Sequence, residues 1–178
     1  AVSSVLHACI VVFPDLSCCK AVCVTSGMTN TQADRTIVHV ISSLEVGGAQ
    51  QILIEVCRAL EGQGYHFVVI SLTRETALAD RLRKLGCRVY CLGMSARSVF
   101  SMWRLCSIIR TERPTLVQTW LYHADLLGGM AARFLGVPAV WSVHHASNHF
   151  EGDSVSIRML TRVLALLSRW IPEAIIYC

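Results

Sequence analysis

From residue 36 onward, short apolar runs alternate with longer stretches whose apolar residues recur at helical spacing, and few architectures accommodate that alternation. Runs such as 36–42 (TIVHVIS), 66–72 (HFVVISL) and 115–120 (TLVQTW) are apolar nearly throughout. Strands of that kind need cover on both faces, and parallel sheets receive it from the helices that connect their strands. The pattern predicts strands at 36–42, 66–72, 88–92, 115–120, 139–143 and from 173 to the last residue, 178. Between them it predicts helices at 49–60, 78–85, 99–110, 125–135 and 155–168. In the first helix Ile52, Leu53, Val56 and Leu60 form the expected buried stripe, and in the third Trp103, Leu105 and Ile109. Gly62, Gly64 and Gly86 are expected helix ends, and Glu112-Arg113-Pro114 a stop. Crossovers between parallel strands are right-handed, so the expected fold is α/β: a Rossmann-like open parallel sheet with helices on both faces.

A chain of 178 residues has room for one such core and not for a second full domain. Its hydrophobic share of 53% raises the question of a membrane span. The best apolar run, 5–13, contains His7 and stops at Pro14-Asp15, well short of the roughly 20 residues a spanning helix needs. The net charge of +4 is carried by scattered arginines without interleaved aromatics, so no nucleic-acid partner is expected. The nine cysteines form no disulfide framework, and those in predicted strands and helices are expected to be free thiols in a reducing cytoplasm. Cys18, Cys19 and Cys23 lack a second set of ligands, and no metal is expected. Residues 1–35 have no regular period, and their first basic residue, Lys20, follows the apolar stretch rather than preceding it as in a secretory leader. They are expected to be an unassigned extension, disordered or the product of an upstream reading frame. The domain is expected at 36–178, cut short inside its sixth strand.

In open α/β sheets ligands sit at the carboxyl ends of the strands. Gly47-Gly48 follows the first strand and opens a helix, where backbone N–H groups favour a phosphate; a plain tight turn is the other reading. The spacing is not GxGxxG and no acidic residue follows Leu72-Thr73, which disfavours a nicotinamide dinucleotide. After the fourth strand come Trp120, Tyr122, His123 and Asp125, a mixture of aromatic and hydrogen-bonding groups suited to sugars. Core packing of the two aromatics, with Asp125 as a helix cap, is the alternative. Gly128-Gly129 is expected to permit close helix–sheet packing. After the fifth strand come His144 and His145, then Ser147, Asn148 and His149; a histidine here can hydrogen-bond a reacting hydroxyl or a phosphate.

Taken together, VISSLEVGGAQQILIEVCRAL, GYHFVVISLT, PTLVQTWLYHADLLGGMAARFLGVP and VWSVHH resemble, in order and spacing, the N-terminal domain of bacterial retaining glycosyltransferases of family GT4. The resemblance runs from about residue 36 to 178. It implies half of a GT-B fold, whose second Rossmann-like domain holds most of a nucleoside-diphosphate sugar, while this half faces a glycan or lipid-linked acceptor. It implies no metal and no cofactor beyond the donor itself, and it fits a cytoplasmic enzyme resting peripherally on the inner membrane face. By the same resemblance His144 would contact the transferring sugar, Gly47 and Gly48 would approach the donor phosphates, and Trp120, Tyr122, His123 and His145 would line the acceptor side. The family's donor-binding carboxylates and basic residues belong to the second domain, so this fragment is expected to be inactive alone. A non-catalytic Rossmann-like binding domain and a sugar-nucleotide epimerase of the same architecture are the competing expectations.

Overall fold

A computed structural model describes residues 35–94, 99–144 and 155–177. Six strands, β1 (Arg35–Ile41), β2 (Tyr65–Ser71), β3 (Arg88–Cys91), β4 (Leu116–Trp120), β5 (Ala139–Val143) and β6 (Ala174–Tyr177), form one sheet in the order β3-β2-β1-β4-β5-β6. Every pairing is parallel. The helices are α1 (Gly48–Ala59), α2 (Ala77–Lys84), α3 (Val99–Glu112), α4 (Tyr122–Leu135) and α5 (Val155–Leu167). Each predicted element is present, and the order is that of a Rossmann-like sheet.

The central strands are buried on both faces, as their unbroken apolar runs require. Val38, Val40, Val68 and Ile70 pack with Leu105 and Ile109 of α3 and with Ala124, Ala131 and Ala132 of α4. The alternate residues Ile41, Phe67 and Val69 pack with Leu53, Ile54 and Cys57 of α1 and with Leu78 and Leu82 of α2. Each fully buried aliphatic side chain contributes about 1.5–3 kcal/mol. Cys57 and Cys87 are buried free thiols, and Cys91 and Cys106 are half-buried free thiols.

Three expectations about the helices change. The buried stripe of α1 is Ala49, Gln50, Leu53, Ile54 and Cys57, rotated from the predicted one because Ile52, Val56 and Leu60 sit at its margins. Trp103 is not buried: it is 65% exposed, while Leu105 and Ile109 fill the inner face of α3 as expected. The helix after β4 begins at Tyr122, three residues earlier than the sequence predicts.

Two glycines on α4 set its distance from the sheet. A Cβ at Gly128 would lie 2.9 Å from Thr119 Cγ2 and 3.0 Å from Val40 Cβ, and one at Gly129 would lie 2.6 Å from Trp141 Nε1. The close packing expected of this pair is what the structure contains. Among the described residues no helix is long and apolar enough to cross a membrane.

Candidate functional site

The strand order reverses between β1 and β4: the chain leaves β1 through α1 on one face and leaves β4 through α4 on the other. A crevice therefore opens above the carboxyl ends of these two strands. The Ser42 N–H donates to the Trp120 carbonyl (3.3 Å), and Ser42 Oγ accepts the N–H of Ala124 (3.1 Å). This second bond caps α4 from a neighbouring strand. The residue at the cap position, Leu121, has no polar side chain with which to do it.

Leu121 itself has φ 73° and ψ 153°, a region that glycine enters freely and leucine only under strain. The sharp turn places Tyr122 and His123 in the first turn of α4, with Tyr122 half-buried and His123 exposed. Behind them the Thr119 hydroxyl donates to Asp125 Oδ1 at 2.6 Å. Burial raises the Asp125 carboxyl to about 7, and the Thr119 hydrogen bond opposes the rise. Asp125 thus packs beneath the helix instead of capping it.

On the other side of the crevice, Gly47 is the extended cap residue of α1, and its carbonyl accepts the Gln51 N–H (3.2 Å). The Gln50 side chain donates to the Ser43 carbonyl (2.8 Å) and braces the loop. A side chain at position 47 would displace that brace, since its Cβ would fall 2.6 Å from Gln50 Oε1. At Gly48 nothing lies within 4 Å of the equivalent position, so the start of α1 faces open space. Free N–H groups there suit an anion.

His144 follows β5, and its ring lies flat on Trp120 with centroids 4.8 Å apart and an interplanar angle of 9°. Burial lowers its pKa, which keeps the imidazole neutral near pH 7, and its Nε2 has no partner among the described residues. Trp120 is 1% exposed and therefore serves as a backing plate for His144 rather than as an open stacking surface. Its indole N–H donates to His39 Nδ1 (3.3 Å). That bond assigns the remaining proton of His39 to Nε2, and burial pushes the group down to about 3.

Of the residues expected at a site, the structure gathers Gly47, Gly48, Tyr122, His123 and His144 along the carboxyl edge, with Trp120 beneath them. His145, Ser147, Asn148 and His149 lie outside the described residues, as do residues 1–34. Sequence reasoning passed over His39, Ser42 and Gln50. The signal for His39 was present, because a histidine inside an apolar strand covered on both faces must be buried and needs a partner. Two cavities, of about 400 Å³ beside Arg133 and Arg169 and about 410 Å³ beside Arg110 and Phe134, lie at the opposite, amino end of the sheet. They take no part in this edge.

The sequence profile of Glycosyltransferase Family 4 matches residues 46–176, well over half of the chain. The chain belongs to glycosyltransferase family 4. The match takes in the Gly47-Gly48 loop, β4 with the start of α4, and His144. Solved structures similar to this family 4 chain include HepE of Anabaena in complex with UDP-glucose, with a TM-score of 0.62 and 17% identity over 79% of this chain and 36% of that one. MurG of Acinetobacter baumannii is similar with a TM-score of 0.56 and 15% identity over 79% of this chain and 40% of that one. A glycosyltransferase of Rickettsia africae has a TM-score of 0.54 and 16% identity over 81% of this chain and 42% of that one. At these identities the likeness is one of fold, and the chain spans less than half the length of each. No relative was found among curated proteins.

Proposed function

We propose that this family 4 chain is the acceptor-side half of a retaining glycosyltransferase. In this reading the whole protein moves a sugar from a nucleoside diphosphate to a hydroxyl of a glycan or lipid-linked acceptor, in the synthesis of a cell-envelope polysaccharide or glycolipid. The observation that carries the reading, beside the family match, is His144: a neutral, half-buried imidazole stacked on the Trp120 ring at the carboxyl edge. A neutral imidazole there can hydrogen-bond a hydroxyl of the transferring sugar and fix its anomeric carbon relative to the acceptor. Negative charge accumulates on the departing diphosphate, and the open N-terminus of α1 at Gly47-Gly48 offers backbone N–H groups to it. Tyr122 and His123, in the first turn of α4, would meet the acceptor. Because HepE was solved with UDP-glucose, a uridine nucleotide sugar is the first donor to try. The enzyme would work at the cytoplasmic side of the membrane, peripherally attached where a lipid-linked acceptor is used.

The test is transfer by the full-length protein with His144→Ala and His144→Asn. Loss of one hydrogen bond realised in the transition state is expected to lower kcat by about 100-fold in the alanine variant. Asparagine, which keeps a donor and an acceptor, is expected to retain part of the rate. Near-normal turnover in His144→Ala would remove this histidine from the reaction.

A further inference from the structure

The two faces of the molecule differ in what they show to solvent. On α1 and α2 the exposed surface is polar, and its carboxylates pair with arginines: Glu55 with Arg58, and Asp80 with Arg83, which also meets Glu75. The helices of the other face, α3, α4 and α5, together with the turn after α5, carry all the exposed large apolar side chains of the described residues apart from Val46. Of the described carboxylates from residue 99 onward, Glu112 and Asp125 are buried, which leaves only Glu173 exposed against seven arginines.

The asymmetry is sharpest on α5. At 3.6 residues per turn, Met159, Val163, Leu166 and Trp170 fall in one row along the helix and the turn that follows it. All four are exposed, Leu166 by 73% and Trp170 by 77%. Arg158, Arg162 and Arg169 form a second row about 100° away, and none of them makes an ion pair or hydrogen bond with a described residue. Leu164 meanwhile points inward and is buried. A surface helix on a soluble domain needs one apolar stripe, toward its core. The helix α5 has two, and the outer one runs beside arginines that have no ion pair among the described residues.

We infer that the outer face of α5, flanked by α4, is the surface by which this protein rests on an anionic bilayer. The apolar row would enter the boundary between headgroups and acyl chains, with Trp170 at its end, and the arginine row would meet lipid phosphates. Charge decides for an anionic lipid surface over a neutral one, because three exposed guanidiniums without an ion pair among the described residues find their complement in phosphates. The inference deepens the membrane attachment in the proposed function, and its test does not depend on the transfer reaction.

The experiment is co-sedimentation of the full-length protein with vesicles of phosphatidylcholine alone and of phosphatidylcholine with phosphatidylglycerol. Binding is expected only with the anionic lipid and is expected to weaken as salt rises. Leu166→Glu/Trp170→Glu is expected to lower it by about tenfold or more, and Arg158→Gln/Arg162→Gln by about tenfold. Both sets of positions are exposed, so an unchanged melting temperature verifies that the variants fold. Equal binding by the variants, or no binding to anionic vesicles, overturns the inference. So does a dimer in light scattering that Leu166→Glu/Trp170→Glu dissociates without any effect on vesicles, since a second copy would then be the occupant. Transfer to a soluble acceptor, measured in parallel on the same variants, keeps a failure here separate from a failure of the glycosyltransferase reading.

Discussion

Asp125 and Leu121 are the two residues at the start of α4 whose local chemistry runs against the fold. A carboxyl with only Thr119 as partner among the described residues, 1% exposed, is easier to bury protonated than ionised. Its folded pKa of about 7 lies above the unfolded value, so the folded state holds the proton more tightly. Stability is therefore highest below about pH 4 as far as this group is concerned and is lost as pH rises toward 7. Asp125→Asn, which leaves an oxygen for the Thr119 hydroxyl, is expected to stabilise the protein by about 2–4 kcal/mol at pH 8 and far less at pH 4.5. Denaturant titrations of both proteins at the two pH values check this. At Leu121 the side chain and the backbone must be separated: alanine and glycine both remove the leucine, but only alanine keeps a Cβ in the strained conformation. Leu121→Gly is expected to be more stable than Leu121→Ala by about 1–2 kcal/mol in the same assay. The opposite order would mean that the turn carries no strain.

At the scale of elements, α4 is the part that brings the site together, and it does so by lying unusually close to the sheet. A Cβ at Gly128 would meet Thr119 at a distance that real Cβ atoms essentially never show, and Val40 at one tighter than most, so Gly128→Ala is expected to push the helix outward. Overpacking of this kind costs about 1–3 kcal/mol. The shift would also loosen the Ser42–Ala124 bond that ties the end of β1 to α4. The melting temperature is expected to fall, and donor binding by the full-length protein with it; an unchanged melting temperature would show that the helix has slack. The Gly-Gly packing role was legible from sequence because a glycine pair inside an apolar helix has few other uses. The true start of α4 was not legible, because Leu121 supplies no capping side chain and the cap arrives from Ser42, some 80 residues earlier in the chain.

Over the whole molecule, the sheet grades from a doubly covered centre to thinner edges. β1, β2 and β4 have neighbours on both sides, whereas β3 and β6 each have one and contain only four residues. Amide exchange is expected to be slowest in β1, β2 and β4 and fastest in β3 and β6, with a gap of about tenfold or more in protection. Mass-resolved hydrogen exchange would show it, and an edge strand as protected as β1 would contradict the grading. The β3 edge is reinforced on its flank, where Arg88 pairs with Glu112 (2.9 Å) and the Tyr90 hydroxyl donates to the same carboxylate (2.7 Å).

The order of strands and helices was readable from the amino-acid sequence because hydrophobic period is a local property, and each run of Val, Ile and Leu declares its own need for cover. The positions of Gly47, Tyr122, His123 and His144 at strand ends followed from that order. Pairings between residues far apart in the chain were decided only by the tertiary structure. No local pattern announces that Trp120 will lie between His39 and His144, or that Ser42 will cap α4. Nor does period alone say which stripe of a doubly apolar helix faces inward: in α3 it was Leu105 and Ile109, and Trp103 was left outside. That choice belongs to the packing of one helix against a sheet already formed, because only there do two apolar faces compete for a single buried place.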